Sequence, residues 1–274
     1  MNRSSLQIPT CSLLQSVLAA LMLAAFLACS GSGGSGSKNE TPTGSAQPYT
    51  AGSAVTESLS TNTARGPNGQ VGRLYTLTLT QQTNLLFTLT ANGFPPFLGL
   101  YTATGQAIVE RANTDTSFKA FLPAGTFQVF VDSMNDATGT FTLTSAPTQP
   151  NSCMYPGSTY SPLSNYHTVK GATLVGTVTT SDCGDSLART HIYELPLTAG
   201  TQLNVSFTVD KFCGLAIRGG PTNTVLASRE MAGAGTGTLT ATIPSSAYWI
   251  VSIESRTNGS GVSSLPVAYT ISIQ

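Results

Sequence analysis

The sequence predicts an all-β protein: two tandem antiparallel β-sandwiches that follow a signal peptide and a flexible linker. Three observations carry this. Apolar and polar residues alternate with period 2 through most of the chain, whereas helical periodicity is almost absent. Gly, Pro, Asn and Asp interrupt the alternating stretches at short intervals, as they do in sandwiches and barrels. The order of stretches in the first half recurs in the second.

In Leu74 to Thr80, Tyr75, Leu77 and Leu79 point one way and the threonines the other, as on a half-buried strand. Gln81 to Asn84 makes a hairpin-like break before Leu85 to Leu89. The following strand stretches are Phe97 to Tyr101, Ala120 to Leu122, Phe127 to Val131 and Thr140 to Thr144. Gly93, Thr104-Gly105, Pro123-Ala124-Gly125 and Asn135-Asp136 supply the turns between them.

The second half repeats this order. Tyr193 to Thr198 answers Tyr75 to Thr80, and Thr201-Gln202-Leu203 answers Thr83-Asn84-Leu85. Phe212 to Leu215 answers Phe97 to Leu100, and Ile243-Pro244 answers Leu122-Pro123. Trp249 to Ser255 answers Phe127 to Ser133, which puts Trp249 in the core, and Tyr269-Thr270-Ile271 answers Phe141-Thr142-Leu143. Strands 191–198 and 201–209 are expected to form a hairpin. Pro196 points to an edge or a bulge, because proline donates nothing to a ladder. A duplication with its joint near Pro147 to Asn151 gives domains 48–147 and 151–274.

Before them, Arg3 is the only charged side chain until Lys38. The apolar run Val17 to Cys29 fits the roughly 7–15 residues of a signal-peptide core. It falls short of the ~20 residues of a membrane-spanning helix. Phe26-Leu27-Ala28-Cys29 resembles the lipobox of bacterial lipoproteins. The resemblance implies removal of residues 1–28 and acyl chains on Cys29, each buried methylene contributing ~0.8 kcal/mol to membrane attachment. Ser30 is similar to the outer-membrane sorting signal, so the implied location is the bacterial envelope, at the outer membrane. Residues 29–47 then form a Gly/Ser-rich tether with a reach of roughly 25 Å.

The chain carries 12 basic and 12 acidic residues, and a balance so close to neutral argues against a nucleic-acid partner. Charged residues make up 9 %, against about 25 % in ordinary globular domains. Thr, Ser, Asn and Gln take over the solvent-facing role, as suits an exported β-protein.

The run Phe-Leu-Gly-Leu-Tyr-x-x-x-Gly, followed by Leu-Pro-Ala-Gly-Thr-Phe-x-Val-x-Val and Gly-Thr-Phe-Thr-Leu, resembles the bacterial pre-peptidase C-terminal (PPC) domain. The first copy matches it over residues 70–145, at Leu98, Leu100, Gly105, Pro123, Ala124, Gly125 and Gly139. The second copy adds Gly176-Thr177-Val178 and Ser181-Asp182-Cys183, and Pro244-Ser245-Ser246 replaces its Pro-Ala-Gly. The resemblance implies jelly-roll-like sandwiches of the kind appended to secreted proteases and other exported proteins. The family's aspartate positions hold Pro96-Phe97, Phe212-Cys213 and His191 here, so no acidic ion site carries over.

Candidate chemistry is sparse. Cys153, Cys183 and Cys213 are the disulfide candidates, and a bridge would contribute near 3–4 kcal/mol. Cys153–Cys183 and Cys183–Cys213 close loops of equal length. The expected hairpin favours the second pair, and the family resemblance implies the first, with Cys213 then a buried small hydrophobe. His167 and His191 have neither the spacing of a zinc site nor a Gly-x-Ser-x-Gly partner motif. Asp182 and Asp185 flank Cys183 but offer two carboxylates where calcium takes six to eight oxygens, so a solvated turn is expected. Tyr155, Tyr160 and Tyr166 are expected to pack the joint between domains. Ser228–Gly237 and Asn258–Ser264 read as polar loops suited to recognition.

These features predict a non-catalytic, lipid-anchored envelope protein. Its partners are the membrane through the lipid, and an envelope polysaccharide or protein. No cofactor, metal or catalytic residue is expected. The alternatives are an accessory module for a secreted protease or other hydrolase and, further off, an enzyme.

Overall fold

The computed structural model describes residues 42, 44–60, 64–66, 69–113, 116–148, 166–182, 188–219, 224–256 and 265–274. Cys29, Cys153 and Cys183 lie outside these residues, as do the signal peptide, most of the tether, Tyr155, Tyr160, Asp185 and Asn258–Ser264. The described residues form strands and no helix, hence no helix long and apolar enough to cross a membrane.

The first copy comprises β1 (Gln47–Tyr49), β2 (Ala54–Leu59), β3 (Ala64–Arg65), β4 (Val71–Leu79), β5 (Thr83–Asn92), β6 (Pro96–Thr102), β7 (Ala107–Ala112), β8 (Ser117–Leu122), β9 (Gly125–Ser133) and β10 (Gly139–Pro147). The second comprises β11 (Tyr166–His167), β12 (Thr173–Val178), β13 (Ala188–Leu197), β14 (Gln202–Val209), β15 (Cys213–Gly219), β16 (Thr224–Met231), β17 (Gly235–Thr242), β18 (Ala247–Arg256) and β19 (Val267–Ile273).

Each copy is a sandwich. In the first, the layer β1-β4-β9-β6-β7, with β3 paired to β4, faces β8-β5-β10-β2. In the second, β11-β13-β18-β15-β16 faces β12-β19-β14-β17, the same order throughout. The duplication extends to register: Tyr75 lies opposite Val129 and Leu77 opposite Phe127, just as Tyr193 lies opposite Val251 and Leu195 opposite Trp249. Trp249 is buried in the second core, in the place of Phe127 in the first.

The copies share a sheet. β11 runs parallel to both β8 and β13 and fuses the two layers into nine strands. Side chains alternate across a strand, and β8 shows the result. Phe118, Ala120 and Leu122 belong to the first core, whereas Phe121 belongs to the second. The two sandwiches are therefore built on opposite faces of one sheet.

Three expectations are corrected. The breaks at 81–84 and 198–201 do not make hairpins: β4 and β5, like β13 and β14, belong to different sheets and face each other across a core. Alternation and a short polar break satisfy either geometry, because both bury the same face. Phe212 to Leu215 is also not the match of Phe97 to Leu100. Leu98 pairs with Val131 as Leu215 pairs with Ile253, a slip of two residues that keeps every side chain on its face. Finally, Ser228–Gly237 is the end of β16, a three-residue bend that crosses between the sheets and the start of β17, where exposed small residues imitate loop composition. Pro196 lies where β13 pairs only with β18, because β11 stops opposite Glu194.

Candidate functional site: buried polar braces and hydroxyl faces

Among the described residues, three groups of ionisable side chains link the sheets or the two copies. In the second sandwich, Asp182 follows β12, His191 and Tyr193 face inward from β13, and Tyr269 faces inward from β19. Asp182 Oδ1 lies 3.0 Å from His191 Nε2, and His191 Nδ1 lies 2.6 Å from the Tyr269 hydroxyl. Tyr269 and Tyr193 are joined hydroxyl to hydroxyl. In the tautomer that leaves Nδ1 bare, Nδ1 accepts from Tyr269, which accepts in turn from Tyr193. Asp182 Oδ2 also accepts from the Thr179 amide at 2.5 Å and its hydroxyl at 3.0 Å. All four side chains of the relay are buried, so it braces the two sheets, and burial raises both phenols. Gly176 makes this possible, since a Cβ there would collide with the Tyr269 hydroxyl. The solvated turn expected at Asp182 is thus corrected to a turn whose carboxylate is buried beside His191.

The first sandwich holds a counterpart in the same place. By register, Arg73 stands where His191 stands and Tyr75 where Tyr193 stands. Arg73 Nε pairs with Glu57 Oε2 of β2 at 3.2 Å, beside Tyr75, with both charged groups partly exposed. Both copies therefore tie their sheets together at the same end, one with a partly exposed ion pair and one with a buried relay.

The third cluster lies at the junction of the copies. Arg111 of β7 donates to His167 Nε2 at 3.1 Å, and Glu194 Oε2 approaches His167 Nδ1 at 3.4 Å. Burial and the adjacent guanidinium push the imidazole down to about 3, so it is neutral. Phe118 and Tyr248 enclose the ring edge to face. Nearby, the Tyr101 hydroxyl donates to Glu110 Oε1 at 2.8 Å, and Gln106 Nε2 donates to the Pro196 carbonyl at 3.3 Å. Tyr166 packs at a tilt against Tyr193, with the Lys119 amine 5.3 Å above its ring. Tyr166 packs the joint as its sequence position suggests.

Asp132 stands apart. It is 3 % exposed beneath Gly66, its Oδ1 finds no hydrogen-bond partner, and burial pushes its carboxyl up to about 7. Among the described residues, no three His, Cys, Asp or Glu side chains cluster as a metal site. Cys213 is a free thiol in the second core, pushed up to about 11 by burial and Asp210.

Outward faces are different in kind. On the β12-β19-β14-β17 layer, Thr173, Ser272, Ser206 and Thr238 form one row across the strands, and Val175, Thr270, Thr208 and Thr236 the next. On the first sandwich, Ser58-Thr140-Asn92 and Thr56-Thr142-Thr90 form rows of the same polar kind on β2, β10 and β5, the second in the place of Val175-Thr270-Thr208. An open groove of about 350 Å³ crosses the second array, with Arg229 at its side. Sequence reasoning found the alternating threonines but not these arrays, which need the register of four strands. Nor could it assemble the relay, whose members are 76 or more residues apart in part.

No family model matches the chain, and none of the curated proteins does. Among solved structures, the pre-peptidase C-terminal domain of a Bacillus anthracis collagenase is similar, with 16 % identity and a TM-score of 0.30 over 38 % of this chain and 96 % of that one. An anti-sigma factor domain-containing protein from Clostridium clariflavum shows 12 % identity and a TM-score of 0.22 over 74 % of this chain and 78 % of its own. The PBSX exported protein XepA shows 9 % identity and a TM-score of 0.23 over 80 % and 86 %.

Proposed function

We propose that this chain is a non-catalytic, lipid-anchored envelope protein whose two fused sandwiches hold a polysaccharide or protein partner. The observation that carries the proposal is the repeated hydroxyl array. Rows of Ser, Thr and Asn, interrupted by Val175, lie across the free face of both sandwiches, while the Arg73–Glu57 pair and the Asp182 relay link the sheets. An uncharged surface of donors and acceptors suits a neutral partner. Two such faces on one tethered body raise its avidity for a repeated ligand. The lipobox-like Phe26 to Cys29 and the Gly/Ser stretch supply the anchor and the leash.

The test is a binding survey with the chain from residue 29 onward, lacking its lipid, against neutral and charged envelope polysaccharides and envelope proteins. Specific retention that Thr208→Lys with Thr270→Lys reduces supports the proposal. Retention of nothing above background overturns it. Specific retention of a secreted hydrolase places the chain as that enzyme's accessory module.

A further inference from the structure

The joint between the sandwiches shows what the second sandwich has left open. In the first copy, β8 is the last strand of its layer and receives β11 along its outer edge, Tyr166 opposite Lys119 and His167 opposite Ala120. Arg111 then seats the His167 ring. In the second copy the strand in the place of β8 is β17, since Leu203 lies opposite Ala241 as Leu85 lies opposite Ala120. The residue in the place of Arg111 is Arg229, opposite Leu215 as Arg111 is opposite Leu98. Both halves of the socket recur, yet β17 ends its sheet among the described residues and Arg229 is exposed.

β17 itself carries no guard. Exposed edges are ordinarily blunted by charge, proline or a bulge. β17 reads Gly-Thr-Gly-Thr-Leu-Thr-Ala-Thr, with none of these. Ile243 bonds to the β14 side through both its N–H and its carbonyl, so by antiparallel alternation the main-chain groups of Thr240 and Thr242 face outward. The edge of β12 is uncharged too, but its counterpart β2 is also an end strand, whereas the counterpart of β17 is occupied.

The β1 strand of a second copy does not fit. It is the equivalent of β11, and its Pro48 lies opposite Thr76 as His167 lies opposite Glu194. Proline at that place has no N–H for the new ladder. We infer that the β17 edge is a docking site for an extended segment of a partner protein. The segment adds as a parallel strand, as β11 does on β8, and places an acceptor side chain against Arg229. This rests on the reading that the chain is a binding protein, and it names the surface and the class of partner.

The probe is a synthetic peptide copying residues 164–170, Ser-Asn-Tyr-His-Thr-Val-Lys, added to the intact chain and followed by amide hydrogen exchange. Exchange is expected to slow at Thr240 and Thr242. The effect should vanish with a peptide carrying His167→Pro and with the Thr242→Pro protein, and should weaken several-fold in Arg229→Ala. Unchanged exchange at millimolar peptide, or slowing indifferent to these substitutions, overturns the inference. Slowing that grows with protein concentration without peptide also overturns it, in favour of self-assembly. Failure here, with polysaccharide retention intact in the survey, removes the edge site and leaves the binding function standing.

Discussion

Arg111 of the first sandwich donates to Nε2 of His167, on the two-residue strand that fuses it to the second, across 3.1 Å. Arg229 holds the equivalent place in the second copy and lies exposed. One residue type in one register position thus has two environments, which makes the pair its own control. Arg111→Ala leaves a buried imidazole nitrogen without its donor and should cost about 1–3 kcal/mol. Arg229→Ala should stay within about 0.5 kcal/mol. Chemical denaturation of the two variants checks this, and equal losses would deny the junction its role.

The pH dependence of stability should show two opposed limbs. The His167 imidazole is depressed to about 3 by burial and Arg111, while an unfolded histidine titrates near 6.5. The unfolded chain therefore binds the extra proton between those values, and stability falls as pH drops from about 6.5 towards 3. Asp132 acts the other way. Its carboxyl holds a proton up to about 7, against about 4 when unfolded, so stability falls as pH rises from 4 to 7 and stays lower beyond. Asp132→Asn should stabilise the protein by on the order of 2 kcal/mol at pH 8 and by little at pH 4. Melting temperatures across pH 4–8 decide it, and a shift independent of pH would refute the assignment.

The relay and its counterpart should differ in cost. Tyr269→Phe keeps the ring but strips His191 Nδ1 and Tyr193 of their partner, an expected loss of about 1–3 kcal/mol. Glu57→Gln in the partly exposed pair should cost about 1 kcal/mol or less. Denaturant midpoints of the two variants provide the comparison, and the reverse order would show that the relay is not a brace.

Strand alternation was legible because the core strands are long and half-buried. Tyr75 and Tyr193 could be paired by pattern alone, and the ladders place them identically. β11 was not legible, since two residues have no period. Tyr166 and His167 gain meaning only from β8 and β13 on either side. β7 was hidden by Glu110 and Arg111, charges that break an apolar pattern yet serve the junction. His191 and Asp182 read as an isolated histidine and a surface turn because the chain brings Tyr269 to them from the far sheet. The arches at 81–84 and 198–201 show the general limit: alternation states which face is buried, not which neighbour lies beside it.

Cys213 should be inert in the folded protein. A thiol held near 11 in an apolar core presents almost no thiolate at neutral pH. Labelling by a maleimide should proceed at the rate of global unfolding, accelerating with denaturant. Rapid labelling of Cys213 in the native state, located by peptide mapping, would contradict its burial.

The anchor has its own measurement. Cys29→Ala should move the protein from the membrane to the soluble fraction, and mass spectrometry of the native N-terminus should find acyl chains on Cys29. Membrane retention of the variant would remove the lipid from the account.

The brevity of β11 has a mechanical consequence. Parallel pairing over two residues gives few main-chain bonds, whereas β13 and β18 are laced over ten. A tensile load applied between the sandwiches would concentrate at that short seam. It would yield there first, each half staying intact, so the protein would lengthen under strain before either lobe unravelled.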